Sequence, residues 1–206
     1  MSVSSRRNTG TFLGRGSTSD VYETVILGQK LAWKRTIFRS RPKRHYLKEI
    51  DILKKLSHTH LITFVASYSH RNTIGLLYQP VAVCDLYTFF DDVEGYWAGV
   101  RDDLQLERLE QLGFHGQSQL LNKASPVCSQ MGCLLSAVAY LHEQKVRHKG
   151  LKPSNVLLLP HKLFLSNFGS ATDFSGLSQS ATDNERSTPK YHAPEVRFWA
   201  HSERPC

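Results

Sequence analysis

The feature that most constrains the fold is a change in hydrophobic pattern partway along the chain. Before it, apolar residues fall in short runs separated by polar or glycine-containing turns, a pattern typical of antiparallel strands. The predicted strands are residues 11–13, 20–27, 30–36, 61–68 and 73–78. Leu47, Ile50 and Leu53 recur at helical spacing and predict one helix between the third and fourth strands. The order is therefore β-β-β-α-β-β, with a tight turn predicted at Gly28-Gln29.

After the fifth predicted strand the pattern becomes helical. A helix is predicted to begin at Ser125-Pro126, because six apolar residues share one of its faces: Val127, Met131, Leu134, Leu135, Val138 and Leu141. An apolar hairpin follows, with strands 156–159 and 163–165 and a turn at Pro160-His161. Residues 91–124 are charged, rich in glutamine and weakly periodic, and they predict an insertion or a loose helix. Residues 1–10 are predicted to be disordered.

The composition indicates an ordinary globular protein with excess positive charge. The formal net charge is +8, and residues 34–48 contain seven basic residues and no acidic one. Such a stretch fits a surface for nucleic acid, anionic lipid or an acidic partner, or a solvated loop that leads into a helix. The solvated loop is favoured over nucleic-acid binding, because no interleaved aromatic residues accompany the charge.

The location that the sequence predicts is intracellular, either cytoplasmic or nuclear. No apolar run approaches the roughly 20 residues needed to span a bilayer, so no membrane span is expected. Residues 1–10 are polar and contain no apolar core of the kind found in a secretory signal. The four cysteines do not have the paired spacing of a zinc site, and they are predicted to be reduced thiols.

Three local motifs in the first part of the chain are weak signals when each is taken alone. Gly14-Arg15-Gly16 fits a tight turn as well as a phosphate-binding loop. Lys34 at the end of Leu31-Ala32-Trp33-Lys34 fits a solvated charge on a strand, and Glu49 fits an exposed acid on a helix. Their order and spacing carry more information than any one of them.

Three further motifs follow in the second part. They are the loop 147–155, with the sequence Arg-His-Lys-Gly-Leu-Lys-Pro-Ser-Asn, then Asn167-Phe168-Gly169, then residues 188–195, which end in Ala-Pro-Glu. In this order the six motifs resemble the eukaryotic protein kinase family, and the loop 147–155 resembles its serine/threonine branch. The resemblance covers residues 11–206 apart from 91–124.

The resemblance implies an α+β, protein kinase-like bilobal fold. It has a complete β-rich N-lobe at 11–80 and a partial helical C-lobe at 81–206, with the activation segment at 167–195. In this family a long buried helix follows the Ala-Pro-Glu element, whereas here the chain ends within the lead-in to that helix. We therefore expect a C-lobe truncated at this point. Either a partner protein covers the exposed apolar face of the helix at 127–141, or the chain is a fragment or an incomplete gene model.

The resemblance also implies a site for ATP. The matching residues are Gly14, Gly16, Val21, Ala32, Lys34, Glu49, Tyr78, Gln79, Val81 and Leu157. The two glycines would let backbone amides approach the phosphates, and Lys34, aimed by Glu49, would hold the α and β phosphates. Val21, Ala32 and Leu157 would enclose the adenine. Residues 79–81 would form the hinge, with Tyr78 at the gatekeeper position.

The catalytic loop departs from the family pattern at the positions that carry the chemistry. Gly150 stands where the family has the catalytic aspartate, while Lys152 and Asn155 match the family. Asn167 replaces the main magnesium ligand, so Asn155 and Asn167 offer only neutral amide oxygens to a metal that prefers carboxylates. A general base contributes about 10²- to 10⁴-fold in rate. We therefore expect weak or no Mg²⁺ binding, and ATP binding that is weak and insensitive to metal.

Three functions are compatible with these residues. The first is a pseudokinase that binds a protein partner and transfers no phosphate. The second is a serine/threonine kinase, active or weakly active, that uses relocated acids such as Asp20 or Asp173. The third is a basic interaction module whose contact surface is residues 34–48.

Overall fold

The computed structural model describes residues 10–16, 19–38, 44–100, 102–115, 126–176 and 189–191. The chain divides into two compact units, one drawn from Met1–Tyr46 and Ile62–Val81, the other from Leu47–Leu61 and Ala82–Cys206. The predicted disorder at 1–9 and the Ala-Pro-Glu element lie outside the described residues, as do residues 39–43 of the basic stretch.

The first unit contains a five-stranded antiparallel sheet. Its strands are β1 (Phe12–Arg15), β2 (Ser19–Ile26), β3 (Gln29–Ile37), β4 (Thr63–His70) and β5 (Thr73–Gln79), in the spatial order β1-β2-β3-β5-β4. All five predicted strands are confirmed, with ends that differ by one or two residues from most of the predicted bounds. Short apolar runs bounded by turn residues located them.

The turn between β2 and β3 lies one residue earlier than predicted. Ile26 pairs with Gln29, so the two loop residues are Leu27 and Gly28 rather than Gly28 and Gln29. Their φ angles are 50° and 78°. A two-residue hairpin loop of this type needs positive φ at both central positions. The structure meets that need with a fully exposed leucine, which the sequence pattern did not predict.

An aromatic ladder covers one face of this sheet. The ring centroids of Tyr22 and Trp33 are 5.9 Å apart and those of Trp33 and Tyr68 are 6.4 Å apart. The Arg35 guanidinium lies 5.1 Å from the centre of the Tyr22 ring and 5.6 Å from that of Trp33. Gly75 makes this packing possible, because a β-carbon at that position would overlap the Tyr68 ring and lie 2.7 Å from Trp33 Nε1.

The second unit is mainly helical. Its helices are α1 (Arg44–Lys55, from Leu47 onward), α2 (Leu86–Trp97), α3 (Asp103–Gln111), α4 (Pro126–Ser129) and α5 (Met131–Glu143). Strands β6 (Cys84–Asp85), β8 (Val156–Leu159) and β9 (Lys162–Leu165) form one small sheet, and β7 (Val146–Arg147) pairs with β10 (Thr172–Asp173). The predicted hairpin at 156–165 is confirmed. The single helix predicted at 127–141 is instead divided between α4 and α5.

Contacts of the α1 end and the following turn explain why residues from Leu47 onward belong to this unit. Ser57 N–H donates to the Tyr140 hydroxyl at 2.9 Å, and the His58 ring stacks on the Tyr140 ring with a centroid distance of 5.0 Å. Lys55 Nζ lies 2.8 Å from Asp173 Oδ2. These contacts tie α1 to α5 and β10, although the helix stands between two strands of the first unit in sequence.

The described part of residues 91–124 contains most of α2 and all of α3, and the insertion predicted there stays a prediction. Both helices contribute to the apolar core of the second unit, through Phe89, Leu109 and Leu112 among others. Charged residues obscured these helices in the sequence. In the structure two of them form a pair, in which Arg108 donates two hydrogen bonds to the buried Asp92 carboxylate at 2.6 and 2.7 Å.

Gly75→Ala tests the packing of the aromatic ladder. Overpacking of a close contact costs typically about 1–3 kcal/mol, so urea unfolding should give a correspondingly lower free energy. Gly132→Ala is the matched control, because a β-carbon there meets nothing within 4 Å in α5. It should leave stability unchanged or raise it by up to about 1 kcal/mol through helix propensity. Equal effects of the two substitutions would contradict the packing argument.

Candidate nucleotide and catalytic site

Five predicted nucleotide-binding residues lie on neighbouring strands of the first unit. Gly14 pairs with Val21, Val21 with Lys34, and Ala32 with Tyr78. Directly opposed residues of antiparallel strands share a face, and positions two apart on one strand share it as well. The sheet register therefore gathers Val21, Ala32, Lys34 and Tyr78 on one face, beside the backbone of Gly14.

A backbone hydrogen bond joins the two described ends of the loop between β1 and β2. Gly16 N–H donates to the Ser19 carbonyl at 2.7 Å, and a β-carbon on Gly16 would lie 3.3 Å from Ser19 Oγ. A β-carbon on Gly14 would meet nothing within 4 Å. Gln79 ends β5, and Val81 is the last residue of the first unit.

The remaining predicted residues belong to the second unit. Leu157 lies on β8 opposite Asp85 and Phe164. The Glu49 side chain is buried, and its Oε2 would lie 3.4 Å from a β-carbon placed on Gly169. Glu49 is thus next to the Asn167-Phe168-Gly169 segment. Lys34 is in the first unit, so its ion pair with Glu49 stays a prediction.

His148 organises the backbone of the catalytic loop. A carbonyl can only accept a hydrogen bond, so Nε2–H donates to the Ser166 carbonyl at 2.8 Å, and Nδ1 accepts from Gly150 N–H at 3.2 Å. The ring also meets the Phe168 ring edge to face, with a centroid distance of 4.9 Å. Burial lowers the pKa of His148 to about 4, so the ring is neutral near pH 7.

Asn155 and Asn167 are hydrogen-bonded to each other. Asn155 Nδ2 donates to the Gly150 carbonyl at 2.6 Å, and Asn167 Nδ2 donates to Asn155 Oδ1 at 3.0 Å. The Gly150 carbonyl can only accept, so the Asn155 amide must turn its NH₂ group towards it. Asn155 Oδ1 then points at Asn167, whose NH₂ group must therefore be the donor. The two amides predicted as weak metal ligands are therefore brought together, but the Asn155 oxygen is already engaged by an N–H group.

Ser166 is a site residue that sequence reasoning missed. Both its backbone N–H and its Oγ–H donate to the Asn155 carbonyl, at 2.9 and 3.0 Å. Asn167 follows it with φ 65° and ψ 70°, a left-handed conformation that asparagine tolerates better than most residues. The only signal in the sequence was the position of Ser166 directly before Asn167.

The backbone does not require a glycine at position 150. Its φ lies outside the left-handed region, and a β-carbon there would approach nothing closer than Asn155 Nδ2, at 3.3 Å. His148 Cε1 and Nδ1 follow at 3.5 Å. A side chain fits with small shifts of the Asn155 amide, so the absence of a carboxylate is a feature of this sequence and not a demand of the loop.

The two acids considered as replacements for the base are engaged elsewhere. Asp173 Oδ2 contacts Lys55 Nζ, and its Oδ1 accepts from Ser175 N–H at 2.9 Å. The hydrogen bond from Lys55 leads the causes that lower the pKa of Asp173 to about 2. A base with so low a pKa is poorly matched to proton transfer near pH 7. Asp20 Oδ1 accepts from Arg15 Nε at 2.7 Å.

The residues present do not fit a magnesium ion. Mg²⁺ is usually held through one or two carboxylates plus substrate phosphates, and the matching positions carry two amides bonded to each other. Among the described residues, no group of three or more His, Cys, Asp or Glu side chains could hold a metal ion.

No helix in the described part of the chain is long and apolar enough to cross a membrane.

Residues 7–203 match the family described as "Protein kinase domain". The chain belongs to the protein kinase family. The predicted α+β class, with a β-sheet N-lobe and a partly helical C-lobe, is thereby confirmed. The family explains why the glycine loop, the strand lysine and the catalytic loop occur in this order, whereas the chemistry of this kinase domain depends on the residues it carries.

Several curated proteins are similar to this kinase domain. Mitogen-activated protein kinase kinase kinase 19 of Mus musculus is 27% identical over 206 residues, which is 91% of this chain and 13% of the relative. Cytokinesis protein sepH of Aspergillus terreus is 27% identical over 192 residues, 91% of this chain and 12% of the relative. The US3 serine/threonine-protein kinase homolog of Gallid herpesvirus 2 is 31% identical over 60% of this chain. The chain thus spans only a small part of the length of these relatives.

The buried neutral His148 predicts acid sensitivity of this domain. The pKa of His148 is lower in the folded state than its ordinary value of 6.5, so its contribution to stability is fully present above about 6.5 and is lost as the pH falls towards about 4. Between pH 7 and pH 5 the free energy of unfolding should fall by about 2 kcal/mol from this group. In His148→Gln the fall in the free energy of unfolding between pH 7 and pH 5 should be smaller by this amount.

Urea unfolding at both pH values measures the difference. His161→Asn on the exposed β8–β9 turn is the control and should keep the wild-type pH dependence. His58 also has a pKa lowered by burial, so some acid sensitivity should persist in His148→Gln. An unchanged pH dependence in His148→Gln would show that protonation of this ring is not linked to folding.

Proposed function

We propose that this chain is a pseudokinase: a protein kinase-like module that acts by binding a protein partner, holds ATP weakly and without metal, and does not transfer phosphate. The observation that carries the proposal is the state of the catalytic loop. Gly150 offers no base. Asn167 stands where the family has an acidic metal ligand, and its amide is hydrogen-bonded to Asn155.

The two losses affect different parts of phosphoryl transfer. A positioned base contributes about 10²- to 10⁴-fold, and metal ions that bridge the phosphates neutralise charge in the transition state. If the losses act separately, the rate should fall by several powers of ten, although one defect can mask part of the other. The engaged carboxylates of Asp20 and Asp173 weigh against rescue by a relocated acid.

ATP binding is less affected than catalysis. Protein kinase domains in general use ATP with Mg²⁺, and the face of the first-unit sheet retains Val21, Ala32 and Lys34 around the predicted nucleotide site. Replacing two aspartates by Gly150 and Asn167 also removes two negative charges that would repel metal-free phosphates. The proposed ligand is therefore the ATP anion itself, bound weakly because no metal offsets its charge.

Two alternative functions have different support. An active serine/threonine kinase is favoured by family membership and by relatives that are named as kinases. A basic interaction module at 34–48 is weakened by the engagement of Arg35, which stacks on Tyr22 and Trp33. A protein partner remains the central prediction, and the intracellular location, cytoplasmic or nuclear, also stays a prediction.

Restoring both carboxylates tests the proposal. The purified wild-type chain should transfer no labelled phosphate from ATP to itself or to a generic protein substrate, with Mg²⁺ or Mn²⁺ present. Gly150→Asp combined with Asn167→Asp should raise transfer at least about 10²-fold, because the base and the metal ligand return together. Adding Lys34→Ala to the double variant should remove the gained activity. Transfer by the wild-type chain that Lys34→Ala abolishes would instead establish an active kinase.

A thermal-shift titration tests nucleotide binding separately. At ATP concentrations several times a millimolar dissociation constant, binding should stabilise the fold by about 1 kcal/mol, or roughly 2–4 °C in midpoint. The shift should be as large in EDTA as in Mg²⁺, and Lys34→Ala should reduce it. The absence of any shift at these ATP concentrations would rule out the nucleotide part of the proposal and leave the partner-binding part standing.

A further inference from the structure

We infer that the amide hydrogen bond between Asn155 and Asn167 takes the structural place of a bridging metal ion, so that the catalytic loop and the Asn167-Phe168-Gly169 segment stay joined without metal and do not respond to Mg²⁺. The inference concerns the state of the fold and holds whether or not ATP binds. It follows from the failure of these residues to fit the metal that the family uses.

Asn155 makes most of the hydrogen bonds between the two segments, and His148 adds one to the Ser166 carbonyl. Asn155 is 4% exposed and accepts three hydrogen bonds from the segment that follows β9. Ser166 N–H and Ser166 Oγ–H donate to its carbonyl at 2.9 and 3.0 Å, and Asn167 Nδ2 donates to its Oδ1 at 3.0 Å. Asn155 and Ser166 are buried, so breaking their bonds would leave costly unpaired groups, whereas Asn167 reaches Asn155 from an exposed position.

The same arrangement opposes metal binding. A metal ion at Asn155 Oδ1 would lie beside the Asn167 NH₂ group, whose partial positive charge points at that oxygen and would repel the ion. Turning the Asn155 amide instead would break its bond to the Gly150 carbonyl and set two oxygens against each other. An aspartate at position 167 would reverse this situation, because its carboxylate would face Asn155 Oδ1 and a cation between the two oxygens would relieve their repulsion.

The consequence is a segment whose position does not depend on a ligand. Phe168 is 1% exposed and packs against the neutral His148 ring, while Gly169 lies beside the buried Glu49. In this chain the amide pair holds these groups in place at all times. A binding module with such a joint presents the same surface with or without nucleotide and metal.

The decisive experiment compares the full chain with Asn167→Asp by thermal unfolding in EDTA and in 10 mM Mg²⁺ or Mn²⁺. Wild type should show the same midpoint in all three conditions. Asn167→Asp should have a lower midpoint in EDTA, by about 2–4 °C for a lost bond and a new repulsion, and should regain it with metal. Asn72→Asp, which adds the same charge on the exposed β4–β5 turn, is the control. Its midpoint should not fall in EDTA and should not rise when metal is added.

Hydrogen exchange on the wild-type chain provides a readout that needs no variant to fold. The amides of Ser166 and Ala171, which donate to the Asn155 and Phe168 carbonyls, should be protected in EDTA and unchanged by Mg²⁺. Stabilisation of the wild-type chain by Mg²⁺, an Asn167→Asp midpoint equal to wild type in EDTA, or fast exchange of these amides until metal is added would each overturn the inference.

Discussion

The local structure of the catalytic site depends on the hydrogen bonds of one buried asparagine. Asn155 uses its Nδ2, its Oδ1 and its backbone carbonyl to join Gly150, Ser166 and Asn167. His148 supports the same arrangement from the other side by bonding the Ser166 carbonyl and the Gly150 amide. His148, Asn155 and Ser166 are buried, so their polar groups need partners, and these partners set the course of the backbone on both sides of the β8–β9 hairpin.

The network achieves with neutral groups what the kinase family achieves with charges and a metal. A carboxylate at position 150 or 167 would place a negative charge beside the Asn155 side chain. The Asn167 amide and the hydrogen of Gly150 are neutral, so the same contacts form without a cation. Structural order at the site has thereby been kept while the groups needed for proton transfer and metal binding are gone, which is the combination expected of a module that binds rather than reacts.

Much of the fold was predictable because its signals are local. Strands β1 to β5 and the β8–β9 hairpin follow from short apolar runs and from turn residues, which act over a few positions. The errors have equally physical causes. The β2–β3 turn uses Leu27 at positive φ, against the preference of that residue, and α2 and α3 were obscured because the charges of Asp92 and Arg108 are paired inside the fold. A sequence pattern cannot distinguish a paired buried charge from a solvated one.

By itself, the sequence determined the chemical inventory of this protein: family motifs in the family order, no side chain at Gly150, and an amide at Asn167. These features hold in any conformation, because they are matters of residue identity. The tertiary structure alone decided which groups meet. It paired Asn155 with Asn167, and it bound Asp173 to Lys55 across 118 positions of chain. Such partners depend on packing between segments distant in sequence, whereas residue identity does not.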